Sequence, residues 1–394
     1  MTKYAMTKNN TASNIFILLV YLLFFLIANT TLRAAYAGMT SEELGLSDGR
    51  YYVMMNIMLV LSVFVNMPRC SSTPRVIGTI ILWTLLQLSQ LLLGGHESTF
   101  VLRLLSWPII FISLYYYARL HHIGFSLKLF YWGLLLLSAL SLSSEVQVRQ
   151  QIVMGGMNEV YWVLLGFPFI IAMPTKKLRY GGIILMVAVV LLSLKSTAFL
   201  ALLVAIFVAW MVEGGLKPKS LFIAIAIMVA IVIFWPMISD YLANNYNVIW
   251  TDKYNSSIES GGSGRTEIWT QAFTLLGGSS LLTLLFGHGH NAVFQNIGFS
   301  AHNDFLEVLF DYGIIAFILY ISLYVQLIKL LKKMLKTNYW LKTPFTVSVV
   351  LFFIVSFFSH LMIYPGLLLH LAAFWGLCIG DFAKQQKIHH ALYR

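Results

Sequence analysis

The chain has 394 residues, of which 59% are hydrophobic, 15% aromatic and only 10% charged, and its formal net charge is +11. With a mean hydropathy of +0.80 it stands far from the roughly 25% charged content of a soluble domain, which excludes a soluble enzyme first. Twelve membrane helices of about 20 residues would use roughly 240 residues and leave about 150 for loops and tails. The composition therefore fits a single all-α integral-membrane domain over 1–394, a polytopic helical bundle with one large outer loop. The two cysteines, Cys70 and Cys378, offer neither a disulfide framework nor a metal cluster.

Apolar runs between polar breaks predict spans at 14–33, 51–68, 76–93, 100–118, 123–143, 156–173, 181–194, 197–212, 220–238, 304–328, 345–363 and 367–382. Lys195 and Ser196 divide the seventh from the eighth. The first span has no small-residue cleavage motif close behind it and reads as a retained helix. With the N-terminus inside, 19 of the 26 Lys and Arg residues fall on inner segments, joined there by only Glu213 and Asp381 of the 15 acids. That bias predicts that both termini are cytoplasmic. An inner charge of +17 (19 minus 2) facing anionic lipid accounts for the basic balance without a nucleic-acid partner. Tyr115, Tyr116 and Tyr117, at an inner helix end, read as an interfacial aromatic belt.

The outer loop at 239–303 is the one long segment outside the predicted spans. It opens with Asp240 and the Asn244, Asn245, Asn247 cluster and passes through a Gly/Ser stretch at 256–264. From Arg265 to Leu276 the residues Ile268, Trp269, Ala272, Phe273 and Leu276 recur at helical spacing, which predicts an amphipathic helix on the outer membrane face. Gly287, His288, Gly289 and His290 then form a turn-rich break. The loop closes at His302 and Asn303, and span ten begins with Asp304.

Ionisable side chains at membrane depth are expensive and mark candidate sites. Arg103, Arg149, Lys195 and Arg265 all fall at predicted outer ends. Side by side they would suit an anionic, lipid-linked substrate, since guanidinium forks grip phosphate oxygens and lysine adds a compact charge. Taken singly, each is explained more simply as a helix cap or by snorkelling to head groups. His302 precedes Asp304, Glu307 and Asp311, whose three- and four-residue spacing puts them on one helix face. The first two complement a helix N-terminus; Asp311 lies two turns in. A histidine here has the ordinary pKa of a general base, with Asp304 or Glu307 to orient it. His288 and His290 lack the H-x3-H or H-E-x-x-H spacing of metal ligands and read as part of a glycine-rich turn, so no metal or cofactor is expected. No Walker or Rossmann glycine pattern is present.

Three stretches together carry a family likeness: Gly262-Ser-Gly-Arg265-Thr-Glu-Ile-Trp269, Phe286-Gly287-His288-Gly289, and Ala301-His302-Asn303-Asp304-Phe-Leu306-Glu-Val-Leu-Phe-Asp-Tyr-Gly313. In order, spacing and placement they resemble the shared core of the bacterial O-antigen ligase and polymerase family, closely over about 255–320 and elsewhere through hydropathy alone. The resemblance implies a metal-independent glycosyltransferase of the bacterial inner membrane, acting on the periplasmic face in lipopolysaccharide biosynthesis. Its donor would be an undecaprenyl-pyrophosphate-linked oligosaccharide, and its other partners membrane lipid and a chain-length regulator protein. By motif, Arg265 becomes a pyrophosphate ligand and His302 the base, with Asn303 beside it. Lys195-Ser196 stands where the family often has Ser-Arg between two short spans; lysine keeps the charge but loses the fork. Asn158 resembles a recurring family asparagine. The form of the motifs leans towards a polymerase, which joins repeat units, over a ligase, which moves finished glycan to lipid A core. A transporter of lipid-linked sugar fits less well, because the charges lie at helix ends and no halves repeat.

Overall fold

A computed structural model describes residues 11–36, 48–70, 73–94, 98–151, 160–193, 195–214, 265–362 and 364–392. Among these the fold is all-α, with no strand. Five long helices come first: α1 (Thr11–Tyr36), α2 (Asp48–Asn66), α3 (Arg75–Gly94), α4 (Ser98–Leu120) and α5 (Gly124–Gln151). The short α6 (Val160–Leu164) and α7 (Phe167–Ile171) follow, then α8 (Lys176–Leu192) and α9 (Ser196–Gly214). The loop contributes α10 (Arg265–Gly277), α11 (Leu281–Phe286) and α12 (Ala292–Ile297), before α13 (Asp304–Lys336), α14 (Lys342–Phe358) and α15 (Leu369–Leu392). Seven helices among the described residues are long and apolar enough to cross a membrane, and shorter apolar helices lie at Arg75–Leu91, Val160–Ile171 and Lys342–Phe358. The predicted span 220–238, Asn158 and the loop up to residue 264 lie outside the described residues.

Large apolar side chains are exposed along these helices, among them Leu22, Phe64, Leu85, Leu136, Ile184 and Ile318. That is the surface a lipid-facing bundle presents, because no hydrophobic gain comes from hiding such groups from acyl chains. The interior is instead built by close approach. α15 packs on α4 through Gly376 and Gly380, where an added Cβ would meet Phe111 O at 2.6 Å and Tyr115 O at 2.4 Å. Small residues four apart let the two backbones touch. This contact overturns one expectation. Tyr115, Tyr116 and Tyr117 are fully buried rather than interfacial, since α4 is covered by both α2 and α15. Tyr116 Oη bonds Thr73 Oγ1 at 3.0 Å, and Arg119 donates to Tyr115 Oη at 3.0 Å.

Lys195 does divide two helices. Ser193 caps the C-terminus of α8, and its hydroxyl accepts the Lys195 N–H at 3.3 Å. Arg179 of α8 pairs with Glu213 of α9 at the far end of the hairpin, so Lys195 sits at its tip. The predicted span 156–173 is broken at Leu165-Gly166, with Pro168 in the first turn of α7, where its missing N–H costs nothing.

α13 is two helices in one. Gly313 adopts φ 80°, ψ −178°, so the carbonyls of Phe310 and Asp311 lose their helical partners. They accept the N–H groups of His288 and Gly289, each at 3.0 Å. The segment before α12 thus lies against the kink. The approach leaves no room for side chains: a Cβ on Gly287 (φ 85°) would lie 2.1 Å from Asp311 O, and one on Gly313 2.4 Å from Leu285 O. The Gly287-x-Gly289 motif is therefore a backbone device.

Candidate functional site

Three segments distant in sequence meet at the start of α13. From the α8–α9 tip comes Lys195, from the first residue of α10 Arg265, and from the loop before α13 His302. The cationic charges of Lys195 and Arg265 both act on His302. Burial is the first cause of its lowered pKa and the two cations the next; together they push it down to about 4. The imidazole is accordingly neutral at physiological pH. Burial also lowers Arg265, while the nearby Tyr161 raises it; a guanidinium remains charged under either influence. Tyr161 on α6 is hydrogen-bonded through its hydroxyl to Thr197 of α9, which ties α6 to the hairpin that carries Lys195.

The arrangement follows from local structure. Arg265 opens α10, and one turn later Trp269 donates its indole N–H to Ala301 O at 2.8 Å. α10 buries Ala272 and Leu276 and half-buries Ile268 and Trp269 in a small core with Ala292, Val293, Ala301, Leu306 and Phe310. Phe273, expected on that stripe, is 57% exposed. α12 and α13 occupy only part of the predicted face. His302 itself has φ 50°, a left-handed conformation rare for a residue with a Cβ. Its main-chain N–H donates to Glu307 Oε1 at 3.1 Å. Asn303 caps α13, accepting the Leu306 N–H at 3.1 Å.

The carboxylates turn inward. Asp304, Glu307 and Asp311 are all buried. Asp304 accepts the Met362 N–H at 2.9 Å and the Tyr320 hydroxyl at 3.3 Å, so it braces α13 against the turn after α14. Asp311 accepts the Val293 N–H at 3.0 Å and holds α12. Glu307 grips the main chain of His302 where orientation of its ring was expected. In this geometry Asp304 and Glu307 serve as internal braces and are not surfaces presented to substrate. Arg103 stands over the Tyr52 ring at 6.0 Å, engaged between α4 and α2. Arg149 lies on α5 with its side chain outside the described part. His288 bonds Ser279 Oγ at 2.9 Å and Phe310 O at 3.1 Å. His290 bonds Tyr312 Oη at 2.5 Å. Both therefore have structural partners, and no group of three His, Cys, Asp or Glu residues suited to a metal occurs among the described residues.

One residue of the cluster was not singled out by sequence reasoning. His360, in the turn after α14, stacks on His302 with ring centroids 4.5 Å apart and planes at 28°. The sequence carries a signal for it, a lone ionisable residue in the apolar run 345–363.

Fold and site together define a multi-pass membrane protein with two cations gathered around a neutral histidine. Residues 181–321 match the model of a family described as O-antigen ligase. The match runs from α8 into α13 and takes in Lys195, Arg265 and His302. Over this segment the chain is similar to the O-antigen ligase family, whose members are membrane enzymes of the glycosyltransferase kind. No curated protein matches the chain.

Proposed function

We propose that the chain is a surface-polysaccharide polymerase that joins undecaprenyl-pyrophosphate-linked repeat units by inverting, metal-independent glycosyl transfer on the periplasmic face of the inner membrane. The observation that carries this reading is the convergence of Lys195 and Arg265 on His302. Two cations at a half-buried site suit a pyrophosphate, and a neutral imidazole beside them is in the protonation state a general base requires.

In the proposed reaction a sugar hydroxyl of the acceptor attacks the anomeric carbon of the donor. The new C–O bond forms as the bond to pyrophosphate breaks, the hydroxyl proton passes to a ring nitrogen of His302, and the electron pair leaves with the pyrophosphate. Arg265 and Lys195 stabilise the charge that grows there. Pyrophosphate is a good leaving group, so the step needs no general acid. Asn303, Asp304 and Glu307 shape the loop that presents His302. The same donor chemistry serves a ligase that delivers the glycan to lipid A core, and the description of the matched family favours that as the second reading.

The test is a reaction of purified protein in detergent with lipid-pyrophosphate-linked repeat units, with and without lipid A core. A ladder of longer lipid-linked glycans without the core supports the polymerase. Product formed only when the core is present assigns the ligase. Turnover of neither kind, alongside movement of the lipid-linked substrate across vesicles, overturns both in favour of a transporter.

A further inference from the structure

We propose that His360 is a positioning residue for the transfer: its ring, stacked on that of His302, holds the His302 imidazole in the plane from which it receives the acceptor's proton. The inference rests on the reading of His302 as the base.

His302 is fixed at two levels. Its main chain, in the left-handed region, is held by the bond from its N–H to Glu307 Oε1 at 3.1 Å. A residue keeps such a conformation when its surroundings over-determine it. The face of its ring is held by His360, which is 5% exposed. The same Glu307 oxygen lies 4.0 Å from His360 Nδ1, beyond hydrogen-bond distance, so one buried carboxylate binds the backbone of one histidine and lies near the ring of the other. Two residues beyond His360, the Met362 N–H is bound by Asp304 at 2.9 Å, which fixes the turn bearing His360 to the first turn of α13. The Tyr364 ring also lies beside His360, with centroids 4.8 Å apart. The charged and titratable groups that act on His360 are His302, Lys195 and Arg265, and Glu307 lies near it. Burial first, and then His302, Lys195 and Arg265, lower its pKa to about 3. His360 is therefore a neutral aromatic face at physiological pH. The matched family segment ends at residue 321, so His360 reaches the site from a part of the chain outside that match.

The experiment compares full-length wild type with His360→Leu, His360→Phe and His302→Ala, using lipid-pyrophosphate-linked repeat units extracted from cells that lack the chain. Leucine fills the space without an aromatic face, whereas phenylalanine restores the face without the nitrogens. His360→Leu is expected to lose on the order of tenfold to a hundredfold in kcat with KM for the donor within about twofold, and His360→Phe to recover kcat to within about threefold of wild type. Wild-type kcat in His360→Leu, or equal impairment of the Leu and Phe variants, overturns the proposal. A His302→Ala variant that keeps wild-type kcat would refute the base assignment itself, and is told apart because it needs no change at residue 360. If His360→Leu does not yield folded protein, the Phe variant decides alone, since loss of turnover there contradicts a role carried by the ring face.

Discussion

Trp269 donates its indole N–H to the carbonyl of Ala301 at 2.8 Å, which joins the helix opened by Arg265 to the residue immediately before His302. This bond adds to the small apolar core that holds the cation-bearing helix beside the histidine's loop. Trp269→Phe keeps an aromatic side chain but leaves the buried Ala301 carbonyl unpaired, at a cost of about 1–3 kcal/mol. The expected outcome is a fall in kcat of roughly tenfold with normal yields of folded protein, read in the glycan-elongation assay.

Gly287 and Gly313 meet across the kink of α13, and each would place a Cβ within 2.5 Å of the other segment's backbone. Alanine at either position should cost about 3 kcal/mol or more. Gly289 also has a positive φ, of 106°, yet open space around it. Its alanine variant should cost only about 1–2 kcal/mol of backbone strain. Thermal unfolding of the three variants in detergent checks the ranking.

For the donor site the contrast lies between charge and geometry. Arg265→Ala should lower kcat/KM by roughly 10²-fold or more, and Arg265→Lys should recover part of that, because the charge returns without the fork. Lys195→Arg is expected to retain activity, and Lys195→Ala to lose it. Steady-state kinetics at varied donor concentration separates these outcomes.

The pH dependence carries a sign. In the free protein His302 protonates only near pH 4, so kcat/KM should stay level as pH falls from 7 and drop only on approaching that value. Bound pyrophosphate offsets the charges of Lys195 and Arg265, which removes part of what lowers the pKa. The acid limb of kcat, which reports the complex, should therefore lie at higher pH than that of kcat/KM. His360 and Glu307, the other groups facing His302, are common to both states. Two limbs coinciding near 6.5 would speak against this environment for His302.

Much of the architecture is legible in sequence because apolar runs of membrane length have few alternatives to a helix. The break at Lys195, the helix from Arg265 and the position of His302 all follow from such patterns. The kink at Gly313 is harder to see, since its cause is a partner backbone about 25 residues upstream, at Gly287 to Gly289. Asp304 and Glu307 read as open polar groups because spacing gives the helix face but not what covers it; Tyr320, Met362 and the His302 main chain do the covering. Hydropathy likewise cannot distinguish an aromatic run at an interface from one pressed between helices, which is where Tyr115 to Tyr117 lie. His360 escapes for the same reason, its partner being set by the packing of α14 against α13.

The most direct test of the account is the single-turnover rate of His302→Ala at saturating lipid-linked donor, with donor binding measured separately. A general base beside two donor-binding cations predicts a loss of roughly 10²- to 10⁴-fold in rate with donor affinity nearly unchanged. An undiminished rate, or a loss traced wholly to donor binding, would contradict it.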